Sequence, residues 1–171
     1  MGIRRGALTL VAAWTLTAAP AHAQAPAACY GDGAAAVACI LNEGRASLGL
    51  RRLRTHPVLA SAAERYARRM AREGFFSHVD PAGNGPLDRL VAAGYGDRRD
   101  GRSWKAGEVL ARGTQELATP QAVAFMWLAS ARHRRVVLGR YRHVGVGIAT
   151  VPGATGGFPE KRYVLYAARR R

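Results

Sequence analysis

Apolar residues recur at three- and four-residue spacing through the first two thirds of the chain, then switch to strict alternation. The first rhythm belongs to helices with one buried face and the second to strands. Leu59, Ala62, Ala63, Tyr66, Ala67 and Met70 mark a helix opened by Thr55 and Pro57 and stopped by Gly74. Before it, Val37, Ile40 and Leu41 share a face of a helix from about Gly33 to Leu48. Asp32 is its expected cap and Gly49 its end. Pro86 starts a short helix carrying Leu87, Leu90 and Val91, ended by Gly94. Thr119-Pro120 opens a fourth with Val123, Met126 and Trp127 on its apolar face. After Gly139, Val144, Val146 and Ile148 alternate with Gly145, Gly147 and Ala149, which predicts a strand facing a core on one side. Tyr163 to Tyr166 reads as its antiparallel partner, with Pro152 to Pro159 as the connecting loop. Residues 96–103 read as an exposed loop, flanked by Tyr95 and Trp104, which are expected to cover core. Helices first and strands last predict an α+β sandwich in one layered domain.

The amino terminus changes where this domain is expected to work. Arg4 and Arg5 precede an apolar run from about Gly6 to Ala19, and Ala21-His22-Ala23 supplies a small-x-small exit. That order is a secretory signal peptide over residues 1–23, with the mature chain starting at Gln24 and secreted or periplasmic. The run is short of the ~20 residues a spanning helix needs, and no later stretch is apolar enough for one. Residues 24–36 form an N-terminal segment. Cys29 and Cys39 are the only cysteines, and an even count in an exported chain favours a disulfide. So short a loop contributes roughly 2–3 kcal/mol by restricting the unfolded chain. Two other readings stay open for the pair: inert reduced thiols, or a lipid-modified Cys29. Two sulfurs alone do not make a structural zinc site, which takes four ligands.

Charge points to partners. The formal net charge is +15, and all of the basic residues but Lys105 and Lys161 are arginines. No carboxylate occurs between Glu116 and Glu160, while Arg132, Arg134, Arg135, Arg140 and Arg142 crowd together, and the chain ends in a basic tail, residues 169–171. Such a surface attracts polyanions, which for an exported chain means anionic lipid headgroups or acidic wall polymers. Solvated arginines without a partner are the plain alternative. Nucleic acid is not expected: no recognisable nucleic-acid module is present and export argues against it.

Three segments carry candidate chemistry: Phe75-Phe76-Ser77-His78, Ala106-Gly107-Glu108, and Trp127 to Arg134 with Ser130 and His133. Two imidazoles and a carboxylate form a donor set of the type found in open zinc sites, where a bound water is acidified for hydrolysis. His78 and His133 lie far apart in sequence, so only tertiary structure can unite them. Ser130 and His133, three apart, share a helical face if the helix persists, but no nucleophile elbow surrounds Ser130. Glu108 alternatively orients a histidine by a hydrogen bond. His56, before Pro57, is expected to be exposed, and His143 to join the basic cluster.

These residues resemble a known family. Leu41-Asn42-Glu43-Gly44-Arg45, Leu53 to Ala60, Phe76-Ser77-His78, Gly107-Glu108, Trp127 to Arg134 and Val144-Gly145-Val146-Gly147 follow the order and spacing of the cysteine-rich secretory protein, antigen 5 and pathogenesis-related superfamily. The resemblance covers residues 37–168 and implies a three-layer α-β-α sandwich with a central antiparallel sheet. It implies a cleft lined by His78, Glu108 and His133, with Ser130 where eukaryotic relatives carry a second glutamate and Val109 where asparagine is usual. The expected function is an envelope-binding module, monomeric, whose cleft holds a metal ion through His78 and His133 (Zn2+ or another divalent cation) or a small lipid or glycan. A metal-assisted hydrolase of peptide or wall material is the alternative.

Overall fold

A computed structural model describes residues 29–97 and 103–170. The leader and most of the predicted 96–103 loop lie outside the described residues. Five α-helices and four strands are present among them: α1 (Ala34–Ser47), β1 (Arg54–Thr55), α2 (Pro57–Glu73), α3 (Pro86–Ala92), β2 (Trp104–Thr114), α4 (Pro120–Ala129), α5 (Ala131–Val137), β3 (His143–Thr155) and β4 (Phe158–Arg170). No helix among the described residues is long and apolar enough to cross a membrane.

The strands form one sheet in the order β1-β3-β4-β2. β3 pairs antiparallel with β4 and β4 with β2, while two-residue β1 lies parallel to β3. Each face of the sheet carries its own core. Val109, Ala111, Val144, Val146, Tyr163 and Leu165 pack under α1, α4 and α5. Leu110, Val164, Tyr166 and Ala168 pack under α2 and α3. This is the expected α-β-α sandwich. Because β4 is covered on both sides, its run from Tyr163 to Ala168 is continuously buried, and such a strand loses the alternation of a half-exposed one.

The glycines of β3 correct the expectation of a one-sided strand. A Cβ on Gly145 would lie 2.2 Å from the Leu59 backbone carbon, and one on Gly147 would lie 2.1 Å from the Glu64 nitrogen. α2 therefore rests on β3 at backbone distance, and both faces of the strand are buried. The expected loop from Pro152 to Pro159 is shorter than predicted, since β3 and β4 continue to Thr155 and from Phe158 around Gly156 and Gly157. β4 also includes Arg169 and Arg170, which the sequence reading set apart as tail.

Helix ends follow local chemistry. Gly74 ends α2 at φ +70°, a left-handed position glycine adopts at little cost. Thr119 caps α4 by accepting from the Ala122 N–H, as predicted. Asp32 does not cap α1: Gly33 is the N-cap, and the Asp32 carboxylate accepts from Lys161 Nζ at 3.1 Å instead. The fourth predicted helix is broken, with Ser130 extended (φ −83°, ψ 119°) between α4 and α5. Cys29 and Cys39 are joined by a disulfide that ties the preceding segment to α1. Trp127, Tyr95 and Trp104 are all core, as expected.

Candidate functional site

The predicted donors arrive from three elements. Glu108 projects from β2, on the face that carries Leu110 and Ala106 towards α3. His78 lies on the segment between α2 and α3, and His133 in the first turn of α5. β2 is an edge strand, so elements from both helical layers reach it here.

Glu108 is the centre. One carboxylate oxygen, Oε1, lies 2.7 Å from His78 Nδ1, and the other, Oε2, accepts from Arg89 Nη2 at 2.7 Å. The Glu108 side chain is 1% exposed, that of Arg89 11% and that of His78 49%. A buried charge requires both a counter-charge and hydrogen bonds, and Glu108 has both. Arg89 is held in turn: Nε donates to the Tyr166 hydroxyl at 2.9 Å, Nη1 to the Asn84 carbonyl at 2.7 Å and Nη2 to the His78 carbonyl at 2.9 Å. Its guanidinium carbon sits 3.4 Å above the Tyr66 ring. Burial, followed by the nearby Glu108 charge, raises the Tyr166 hydroxyl pKa far above its ordinary value, so this phenol stays protonated.

The loop that carries His78 is fixed independently. Buried Asp80 accepts from the Ala82 and Asn84 N–H groups, each at 2.9 Å, and pairs with Arg69. The Tyr66 hydroxyl donates to the Ser77 carbonyl at 2.6 Å, and Arg162 donates to the Phe75 carbonyl at 2.9 Å. Carbonyls of Phe75, Ser77 and His78 are thus each bonded to a different side chain. An imidazole presented from so constrained a backbone loses little entropy on meeting a ligand.

Charge on His78 disfavours charge on His133. Burial first, then His78 and Arg132, lower the His133 pKa, which favours the neutral, ligand-competent ring near neutral pH. Ser130 does not share a helical face with His133, because the helix breaks at Ser130, and its hydroxyl makes no bond among the described residues. A Ser-His nucleophile pair therefore has no geometric support.

A divalent cation bound here would rest on imidazole nitrogens. Glu108 has both oxygens engaged and stands behind His78 as an orienting carboxylate, not as a ligand. His78 Nε2 and the His133 ring remain as donors. Among the described residues, the group of three metal-type donors within 4.8 Å of one another is Cys29, Cys39 and Glu43, and the disulfide consumes both sulfurs.

A groove of about 490 Å³ flanks this cluster along the outer side of β2, lined by Leu87, Val91, Trp104, Ala106 and Tyr141 with Asp88 and Lys105 at its margins. Ala106 is one same-face step from Glu108. Neither histidine lines the groove.

Sequence reasoning missed Arg89, Asp80, Tyr66 and Tyr166. The signal for Arg89 was available: it is the lone cation of a short helix in which Asp88 is the one other charged residue. His56 corrects an expectation, being half-buried and not exposed, while His143 lies within electrostatic reach of Arg54, Arg142 and Arg170. The two histidine rings lie 5.0 Å apart beside Tyr95, whose hydroxyl is 2.8 Å from His143 Nδ1, and His56 Nδ1 is buried with no hydrogen-bond partner among the described residues. The five clustered arginines, Arg132, Arg134, Arg135, Arg140 and Arg142, are all exposed, with no carboxylate partner among the described residues.

Comparison with known proteins agrees with this architecture. An outer surface protein of Borrelia burgdorferi is similar at TM-score 0.59 and 20% identity, over 80% of this chain and 91% of that one. An extracellular protein with an SCP domain from Bacillus anthracis is similar at TM-score 0.59 and 23% identity, over 77% of this chain and 39% of that one. A cysteine-rich secretory protein of Staphylococcus aureus is similar at TM-score 0.55 and 16% identity, over 79% and 37%. No curated protein matches at the level of sequence. The family model for CAP, the cysteine-rich secretory protein family, matches residues 40–166, and the chain belongs to that family.

Proposed function

We propose that this CAP-domain protein is an exported binding module of the cell envelope. Its His78–Glu108–His133 cleft takes a metal ion or a small lipid or glycan, and its arginines attach it to anionic lipids or wall polymers. One observation carries the reading: both oxygens of Glu108 are engaged, by His78 and by Arg89, inside a buried network. A carboxylate so held and only 1% exposed orients an imidazole and is not open to a substrate for proton exchange. The flanking groove, with its aromatic and aliphatic lining, suits the apolar face of a lipid or sugar. The exposed arginines suit an anionic surface. The leader expected over residues 1–23 and the disulfide agree with export. Two of the similar structures are themselves described as extracellular or outer surface proteins.

The test is calorimetry with Zn2+ on the chain from Gln24, beside His78→Ala and His133→Ala. Binding lost in both variants supports a shared cleft site. No binding by folded wild type removes the metal and leaves the lipid and glycan ligands to be assayed.

A second reading has one favourable observation. His78 Nδ1 against a buried carboxylate, with nearly half of the ring exposed, is the pairing that readies an imidazole as a base. A metal-assisted hydrolase of peptide or wall material would lose turnover in His78→Gln while remaining folded; a binding module shows no turnover to lose.

A further inference from the structure

Arg45 is 2% exposed and has no carboxylate partner among the described residues. It spends its donors on backbone: Nε donates to the Arg51 carbonyl at 2.9 Å, and Nη1 to the carbonyls of Val137 at 2.8 Å and Gly139 at 3.0 Å. Nη2 makes no bond among the described residues. Burial lowers the pKa of Arg45, the mark of a cation whose charge is not locally offset.

The same side chain lines a pocket of about 210 Å³. Arg51, Arg140, Arg142 and Arg169 surround it, with Tyr141 as its aromatic wall. They converge from three separate segments: the loop after α1, the loop between α5 and β3 on both sides of Tyr141, and the end of β4. None of these four pairs with a carboxylate among the described residues, and the pocket lining contains no acidic residue. Like charges converging on one concavity repel unless an anion sits between them. Guanidinium groups approaching from several directions match a multi-oxygen anion, each fork bonding two oxygens. The space is several times the ~30 Å³ share of one water, enough for a phosphate group and too small for a lipid chain.

We propose that this pocket binds the phosphate group of a phosphate ester. The site shares Arg140 and Arg142 with the basic face described above and gives that face a defined ligand; it makes no use of His78 or His133.

The experiment is calorimetric titration of the purified protein with inorganic phosphate at fixed ionic strength. It compares wild type with Arg140→Gln/Arg142→Gln and with Arg68→Gln/Arg72→Gln, which removes equal charge from the exposed face of α2 in the opposite layer. All substitutions are at exposed positions, and circular dichroism checks the fold. Saturable binding by wild type, weakened about tenfold or more in the first variant and less than about twofold in the second, is the expected result. Equal weakening in both variants, or no saturable binding by folded wild type, overturns the pocket. A second arm uses vesicles of phosphatidic acid in phosphatidylcholine. Vesicle binding displaced by inorganic phosphate supports the site and identifies a lipid phosphate as its source. Vesicle binding that inorganic phosphate does not displace, in a protein that still binds phosphate, supports the site and assigns it to soluble or polymer-borne esters. Vesicle binding by a protein that does not bind phosphate keeps the basic face and overturns the pocket.

Discussion

Arg89 and Glu108 meet at 2.7 Å across the gap between α3 and the edge strand β2, with both side chains almost wholly removed from water. The pair belongs to two elements that otherwise touch little, so it fixes where the His78 partner stands. Arg89→Leu leaves the Glu108 carboxylate buried without its guanidinium counter-charge. The expected loss is about 3–5 kcal/mol, read as a lower urea midpoint at unchanged slope. A loss below about 1 kcal/mol would show the pair to be incidental.

The seat of α2 on β3 predicts a steric cost. Gly147→Ala places a methyl group 2.1 Å from the Glu64 nitrogen, where no side-chain rotation relieves it. Destabilisation of about 1–3 kcal/mol or more is expected from thermal unfolding. Gly44→Ala is the comparison, since its nearest neighbour is the Leu128 Cδ1 at 3.7 Å, ordinary contact. Equal effects would refute the close seating.

The disulfide predicts a modest contribution. Cys29→Ser/Cys39→Ser should lose roughly 2–3 kcal/mol while leaving the fold intact, because all the buried residues of the two core clusters but Val37 lie beyond the bridge. Retained near-ultraviolet dichroism with a lowered midpoint is the expected pair of readings.

Acid should destabilise the protein in a defined window. Burial first lowers the pKa of His56, His133 and His143 from 6.5. Arg170 contributes at His56 and, after His56, at His143, where Arg54 and Arg142 also act; His78 and Arg132 contribute at His133. The unfolded chain then binds more protons than the folded one below about pH 6.5. Their stabilising contribution is complete above that pH and is lost as pH falls towards the depressed folded values. Unfolding midpoints between pH 7.5 and 5.5 should therefore drop, and His56→Gln/His143→Gln should flatten the drop. A wild-type midpoint unchanged by acid would contradict this.

How far the sequence could be read depended on how local each signal was. Pro57, Gly74 and the Thr119-Pro120 pair announce helix boundaries through backbone chemistry that acts within one turn, and those boundaries held. β2 gave no alternation to read, because Val109, Leu110 and Ala111 are buried consecutively on opposite faces. Ser130 breaks a helix that apolar periodicity alone would continue. The residue types of the cleft were visible as His78, Glu108 and His133, but their roles were not. The spacing of 30 residues between His78 and Glu108 says nothing of contact, and Arg89 enters only through the packing of α3.

The two β3 glycines also act as a mechanical datum. α2 is located by its contact with Gly145 and Gly147, and it carries Tyr66 and Arg69, which grip the Ser77 carbonyl and the Asp80 carboxylate on either side of His78. A small displacement of the helix at that seat is thus transmitted, through short rigid links, as an alignment error of the imidazole at the far end.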